Sequence, residues 1–353
     1  MQTALATLLV LGVLIFVHEL GHFLVAKWAG IRVERFSLGF PPKMIGFTRG
    51  ETEYCISWIP LGGYVKMAGE NPEESDITGD PREFMSKSIG ARALVIIAGP
   101  LMNFIAAILL FALVFFFYGK PLEETRVVVG ASMAGTPAEK LGLQPGDVIV
   151  SIDGQKVSKF QEMAGTVSTK LGESVNVIWK RGDDVFSAPV VTKIDTLKNA
   201  AGSDSLVGRI GIERGFDTEE MGPIAALGAG FKQTIDICGA MFELFGGLLS
   251  GQVPIKMISG PVGISKMAGE MARRGADMLM GFMAVLTVNL AILNVLPVPV
   301  LDGGHLLFLL IEKLKGRPLS IKQRAIAQQV GFVLLIMLIV TVTYHDVLRL
   351  FGS

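Results

Sequence analysis

His18-Glu19-Leu20-Gly21-His22 is an HExxH stretch, and it lies inside an apolar run covering residues 4–28. On a helix, positions four apart share a face one turn from each other, so both imidazoles can reach a single metal ion. Glu19 leans over the same ion. In zinc hydrolases built on this pattern the glutamate is no ligand; it takes a proton from the attacking water, which the metal acidifies. The bland reading is a helix whose two histidines are satisfied by ordinary hydrogen bonds. Against it stands the setting. An ionisable group near a bilayer centre costs at least about 2.5 kcal/mol, and three titratable groups fall within these five positions. The metal site is therefore the reading adopted.

The rest of the chain agrees with a membrane setting. Of 353 residues, 50% are hydrophobic and only 18% charged, too apolar for a soluble enzyme of this length. The formal net charge is zero and no basic tract stands out, which argues against a nucleic-acid partner. The first apolar run has the length of a secretion signal, but it lacks a basic leader and a small-residue cleavage site and it holds the motif, so it is expected to be retained. Cys55 and Cys238 are far apart and expected on opposite membrane sides, so neither a disulfide nor a Cys-x-x-Cys site is expected.

Four runs predict spans, at residues 3–28, 93–118, 278–296 and 325–344, each close to the ~20 residues that cross a hydrocarbon core. Basic residues crowd the connection after the first span and the one before the fourth (Lys313, Lys315, Arg317, Lys322, Arg324). By the positive-inside rule these loops are cytoplasmic, and both termini and the long central region lie outside. The expected fold is a polytopic α-helical membrane protein with four transmembrane helices, a membrane-associated β-hairpin and an inserted extracytoplasmic α+β domain. Its expected divisions are an N-terminal membrane half (1–118), the inserted domain (119–195), a linker with an interfacial amphipathic helix (196–275) and a C-terminal membrane half (276–353). The helix expected at 223–249 sets Lys232, Asp236 and Glu243 on one face, which favours lying in the interface over spanning.

Between the first two spans, strands are predicted at 44–48, 53–59 and 64–67, with a turn at Arg49-Gly50-Glu51. Unpaired backbone cannot face lipid, so this sheet must lie beside the helices or against the interface. A free edge on the 53–59 strand would hold an extended substrate by strand addition, with Cys55, Ile56 and Ser57 as the candidate contacts. In the central region, Gly135-Thr136-Pro137, Gly142, Pro145-Gly146-Asp147 and the alternating Val148-Ile149-Val150-Ser151-Ile152 read as a short helix, a turn and a strand. That pattern resembles a PDZ domain, which implies binding of extended peptides, including a peptide C-terminus. A steric cap over the active site is the competing reading.

Two histidines need a third protein ligand and leave one position for water. Asp302 and His305 follow Pro297 and Pro299, which interrupt a helix, and Gly303-Gly304 permits a sharp turn. Asp302 is favoured, because a carboxylate there would otherwise be an uncompensated burden in an apolar setting. Glu312 is the option if the third ligand is a glutamate. Asn294 is a candidate substrate contact, since a carboxamide in hydrocarbon needs a partner. Helix-to-helix bonding is an equal alternative for Asn294, and for Asn103 packing is favoured.

Together with HELGH, the segments Asn294 to Gly303 (NxxPxPxLDG), Ile59-Pro60-Leu61-Gly62-Gly63-Tyr64-Val65-Lys66-Met67, Ala98-Gly99-Pro100-Leu101-Met102-Asn103 and Ser259-Gly260-Pro261-Val262-Gly263 resemble the site-2 protease family, and most of all its bacterial RseP-like branch. The resemblance covers nearly the whole chain. It implies a multi-pass protein of the bacterial cytoplasmic (inner) membrane, an intramembrane zinc metalloprotease with His18, His22 and Asp302 on Zn2+ and Glu19 as general base. It implies a single-span membrane substrate, often an anti-sigma factor already trimmed outside, met within the lipid bilayer. One departure is that this chain has room for a single PDZ-like domain where some relatives carry two. The rival class is a scaffold or metal transporter displaying a PDZ-like domain. A scaffold has no use for Glu19, and transport would require more intramembrane carboxylates than the spans offer.

Overall fold

The computed structural model describes the chain except residues 71–77, 123, 199–203, 255–257 and 352–353. It divides into two compact units, one made of Met1–Phe117 with Gly222–Ser353, the other of Tyr118–Met221.

The first unit begins with α1 (Gln2–Trp28), β1 (Val33–Arg49), β2 (Thr52–Met67) and α2 (Ile89–Tyr118). It resumes with α5 (Pro223–Leu249), α6 (Pro261–Arg274), α7 (Ala276–Val295), α8 (Asp302–Lys315) and α9 (Ile321–Phe351). Among the described residues four helices, α1, α2, α7 and α9, are long and apolar enough to cross a membrane. They coincide with the four runs expected from the sequence. α5 lies alongside α2 and α7, with Ile237, Cys238 and Met241 packed on Ala107, Val288 and Ile292. Its charged face is exposed, where Lys232 and Asp236 pair at 3.6 Å.

The sequence reading took residues 196–275 as linker and interfacial helix, and α6 within it was not foreseen. α6 packs on α1, where Thr7 and Ser265 hydroxyls meet at 2.9 Å, and its first turn is held by α9: the Gly263 N–H donates to Asp346 Oδ2 at 2.8 Å. A carboxylate at the positive end of a helix is stabilising. That contact absorbs the Ser259-Gly260-Pro261-Val262-Gly263 motif, because a Cβ on Gly260 would press on Asp346.

β1 and β2 are longer than predicted, and their pairing differs from a simple hairpin. Residues 33–38 pair with 63–67 on one side and with 53–56 on the other, while 52–57 also pair with 43–49. Pro41, Pro42, Pro60, Gly39 and Gly62 occupy the bends at which each strand folds back, as expected of residues that lack an N–H or a Cβ. Among the described residues no further strand pairs along 63–67 or along 43–49, which are the two outer edges of the sheet. The expectation that Cys55, Ile56 and Ser57 form a free edge is thereby corrected. Cys55 is flanked by Ser37 and Gly46, Ile56 by Leu38 and Ile45, and Ser57 pairs with Lys43. Phe16, Phe23, Phe36 and Tyr54 lock the sheet to α1 through ring contacts.

The second unit contains β3 (Lys120–Pro121), β4 (Val127–Ser132), α3 (Pro137–Lys140), β5 (Val148–Ile152), β6 (Gln155–Lys156), α4 (Phe160–Ser168) and β7 (Ser174–Arg181). β8 (Asp184–Val191), β9 (Lys193–Lys198), β10 (Asp204–Arg209), β11 (Ile212–Arg214) and β12 (Thr218–Glu219) complete it. Strands β11, β4, β5, β7 and β8 lie in that order in one sheet. The unit therefore runs past residue 195, the boundary expected from the sequence, because β11 returns to pair with β4. Val127, Ile149, Ile152, Val175, Val177 and Trp179 form its core.

Candidate active site

Three side chains from two helices meet in the first unit. His18 and His22 come from one face of α1, with their Nε2 atoms 3.2 Å apart. Asp302 is the first residue of α8, and its Oδ2 lies 3.1 Å from His18 Nε2 and 3.4 Å from His22 Nε2. Ligands about 2.0–2.1 Å from a tetrahedral zinc sit about 3.3 Å from one another, so the three spacings are those the ion requires. Asp302 Oδ2 is buried and has no hydrogen-bond donor among the described residues, which is the state of an oxygen whose partner is a metal.

Local structure explains why Asp302 arrives there. α7 ends at Val295 and the Pro297-Val298-Pro299 stretch, which cannot continue a helix, redirects the chain into α8. Gly303 and Gly304 act by close approach and not by the sharp turn expected: neither has a positive φ, and a Cβ on either would collide with backbone of residues 295–299. His305 lies one turn on and lines the cavity without joining the three-atom cluster. Glu312 is farther along α8 and is taken by Arg92 at 2.5 and 3.1 Å.

α2 forms the back of the site. A Cβ on Gly99 would be driven into the rings of His22 and His18, and one on Gly21 into the Ala98 backbone. These two glycines let α1 and α2 touch at the histidines. Pro100 lacks the N–H that would close this turn of α2, and His22 Nδ1–H donates to the Val95 carbonyl at 2.9 Å. The end of the fully buried Asn103 amide lies 3.2 Å from His18 Nδ1. The Asn103 atom facing Nδ1 is the amide nitrogen; with Nε2 as the ligand atom Nδ1 carries the proton, and a half-turn of the amide brings its oxygen, otherwise buried without a partner, round to accept it. Each histidine thus has the outer hydrogen bond that fixes tautomer and ring orientation in metal sites. Asn294 approaches from α7, 3.4 Å from His18 Nε2.

A cavity of about 590 Å³ opens from this cluster. Glu19 lines it beside the outer 63–67 edge, where Gly63 leaves room for its side chain. Sequence reasoning missed Glu70 on the same wall. Burial pushes its carboxyl up to about 7, and the Met67 N–H donates to it at 3.3 Å. Its signal in the sequence is hidden among neighbouring acids in a polar loop. Gly99 was quoted only as part of a motif, and nothing local tells that it faces imidazoles from another helix.

Residues 6–338 match the model of Peptidase family M50. The chain is 36% identical over 362 residues to a putative zinc metalloprotease of Agrobacterium fabrum, spanning 98% of this chain and 95% of that one. To the zinc metalloprotease RasP of Oceanobacillus iheyensis it is 31% identical over 428 aligned positions, spanning 99% and 100%. Among solved structures, a PDZ domain of an SdrC-like protein from Listeria monocytogenes is similar at 25% identity and a TM-score of 0.21, covering 27% of this chain and 93% of that one. With its family model matched over nearly all of its length, the chain belongs to Peptidase family M50, the site-2 proteases.

Proposed function

We propose that the chain is an intramembrane zinc endopeptidase that hydrolyses a single-span membrane protein of the anti-sigma-factor kind within the bilayer. The observation that carries this reading is the set of three inward-turned ligand atoms, 3.1 to 3.4 Å apart, with Glu19 beside them on an open cavity. His18, His22 and Asp302 would hold the zinc, which when bound polarises the scissile carbonyl and acidifies water. Glu19 takes the proton from the attacking water and returns it to the leaving amine. Asn294, whose amide nitrogen lies 3.4 Å from His18 Nε2, would donate its amide to the substrate carbonyl.

The substrate helix must be unwound before its carbonyl is reachable, and an unwound strand needs partners for its backbone groups. The 63–67 edge supplies them beside Glu19, in place of residues 55–57. The basic connections after α1 and before α9 favour a cytoplasmic location for both loops, and with it an outside location for the termini and the PDZ-like unit, where a peptide C-terminus could dock.

The test is made on the purified chain in liposomes with a single-span reporter. Cleavage is expected with zinc and is expected to stop when a chelator removes it. Val65→Pro, which deletes one edge donor, should slow cleavage strongly at unchanged zinc content. Cleavage that survives complete chelation would end the metalloprotease reading, and full activity of the proline variant would end the role of the edge.

A further inference from the structure

A second polar cluster reaches the wall of the same cavity through Arg324, away from His18, His22 and Asp302. Arg92 of α2 and Glu312 of α8 form a two-point ion pair, with side chains only 5% and 9% exposed. That pair is complete, since one carboxylate fully engages one guanidinium. Arg324 of α9 stands next to it without a comparable partner. Its Nη2 is 3.9 Å from the Glu312 oxygen that Arg92 already holds, its Nη1 is 4.0 Å from Met85 Sδ, and its Nε is buried with no acceptor among the described residues. Among the described residues two guanidinium groups therefore share one carboxylate, which leaves an excess positive charge there, with the Arg324 side chain only 20% open to solvent.

Helix electrostatics do not account for Arg324. It sits in the first turn of α9, its N–H bonded to the Ser320 carbonyl, where the dipole favours anions and disfavours cations. The helix start is already satisfied by Ser320 and Gln323, which exchange side-chain to backbone bonds at 3.2 and 3.3 Å. What remains is the cavity. Arg324 lines it together with Gln328 one turn farther along, in the same space that holds His18, His22 and Asp302.

We propose that Arg324 is a specificity residue that receives an acidic side chain of the substrate, one that flanks the stretch unwound at the metal cluster. A carboxylate would complete the hydrogen bonds that Glu312 cannot supply and neutralise the excess charge, and the planar guanidinium suits two-point capture. The position of Arg324 in the first turn of a spanning helix places this contact near a membrane boundary, where a substrate can carry an acid at low cost. This assignment rests on the protease reading given above.

The test uses single-span substrates in liposomes. Glu, Gln or Lys is placed in turn at each of the four positions on either side of the scissile bond. With the wild-type chain, Glu is expected to exceed Gln at one position by about tenfold in kcat/KM, carried mainly by KM because the contact exists before the transition state. In Arg324→Gln the Glu to Gln ratio at that position should fall to near one. In Arg324→Glu the preference should pass to Lys, and Arg324→Lys should keep part of the Glu preference. Ratios within one variant do not depend on how much of it folds, and zinc content is measured on each preparation. The assignment is overturned if no position favours Glu in the wild-type chain, or if the preference survives in Arg324→Gln. If no substrate is cleaved at all, the protease reading falls and this one with it, whereas cleavage without a Glu preference removes this assignment alone.

Discussion

The two units place their polar groups in opposite ways. In the second unit apolar side chains fill the interior, and its buried Asp147 is fully engaged by Arg181 at 2.8 Å and by the Gln144 N–H. In the first unit the outward surface of the long helices is apolar; in α9 only 11% of the most hydrophobic window is buried. The groups that point inward include His18, Asn103, Asn294, Arg92 and Glu312. A soluble core expels such groups because each needs a partner. Lipid reverses the arrangement, since a polar group is better kept among helices than turned outward. Buried polar residues in the first unit thus mark the chemistry, while in the second the buried ion pair marks only stability.

The contrast breaks first at Asp302. If its carboxylate is a ligand, Asp302→Asn should lose most of its zinc and reduce cleavage by more than the ~10–100-fold typical of outer-shell partners. His305→Ala should retain zinc. Metal analysis and cleavage by both variants decide this, and the reverse pattern would move the third ligand to His305.

A smaller effect is expected in the second unit. Arg181 holds the Asp147 carboxyl below the ordinary aspartate range. A depressed carboxylate contributes stability above the unfolded value of about 4, and that stability is lost as pH falls through the folded value. Arg181→Ala should therefore increase protease sensitivity within residues 118–221 at pH 7. The gap from the wild-type chain should shrink below pH 4, while zinc content stays unchanged. A gap that widens in acid would contradict the role given to the pair.

What could be read in advance follows the range of each interaction. His18, Glu19 and His22 were legible because helical spacing alone brings them together, and Asp302 because the prolines before it break the helix beside it. The four spans were legible from length and apolarity. Strand order in the sheet was not, because residues 33–38 insert between two segments of β2 and only long-range pairing shows which edge is free. Gly99 escaped for the same reason, and Asn103 was read as a packing residue without its partner, since the imidazoles they meet lie on α1, 77 to 85 residues away in sequence. α6 escaped because its N-terminal anchor, Asp346, is supplied by α9.

The most direct measurement is zinc content and cleavage on one preparation of Glu19→Gln in liposomes. Glu19 lines the cavity but is not one of the three clustered side chains that could hold a metal ion, so the variant should hold as much zinc as the wild-type chain and cleave no substrate. Appreciable turnover at full zinc occupancy would contradict the role of Glu19 as base, and loss of the metal would contradict its place outside the ligand set.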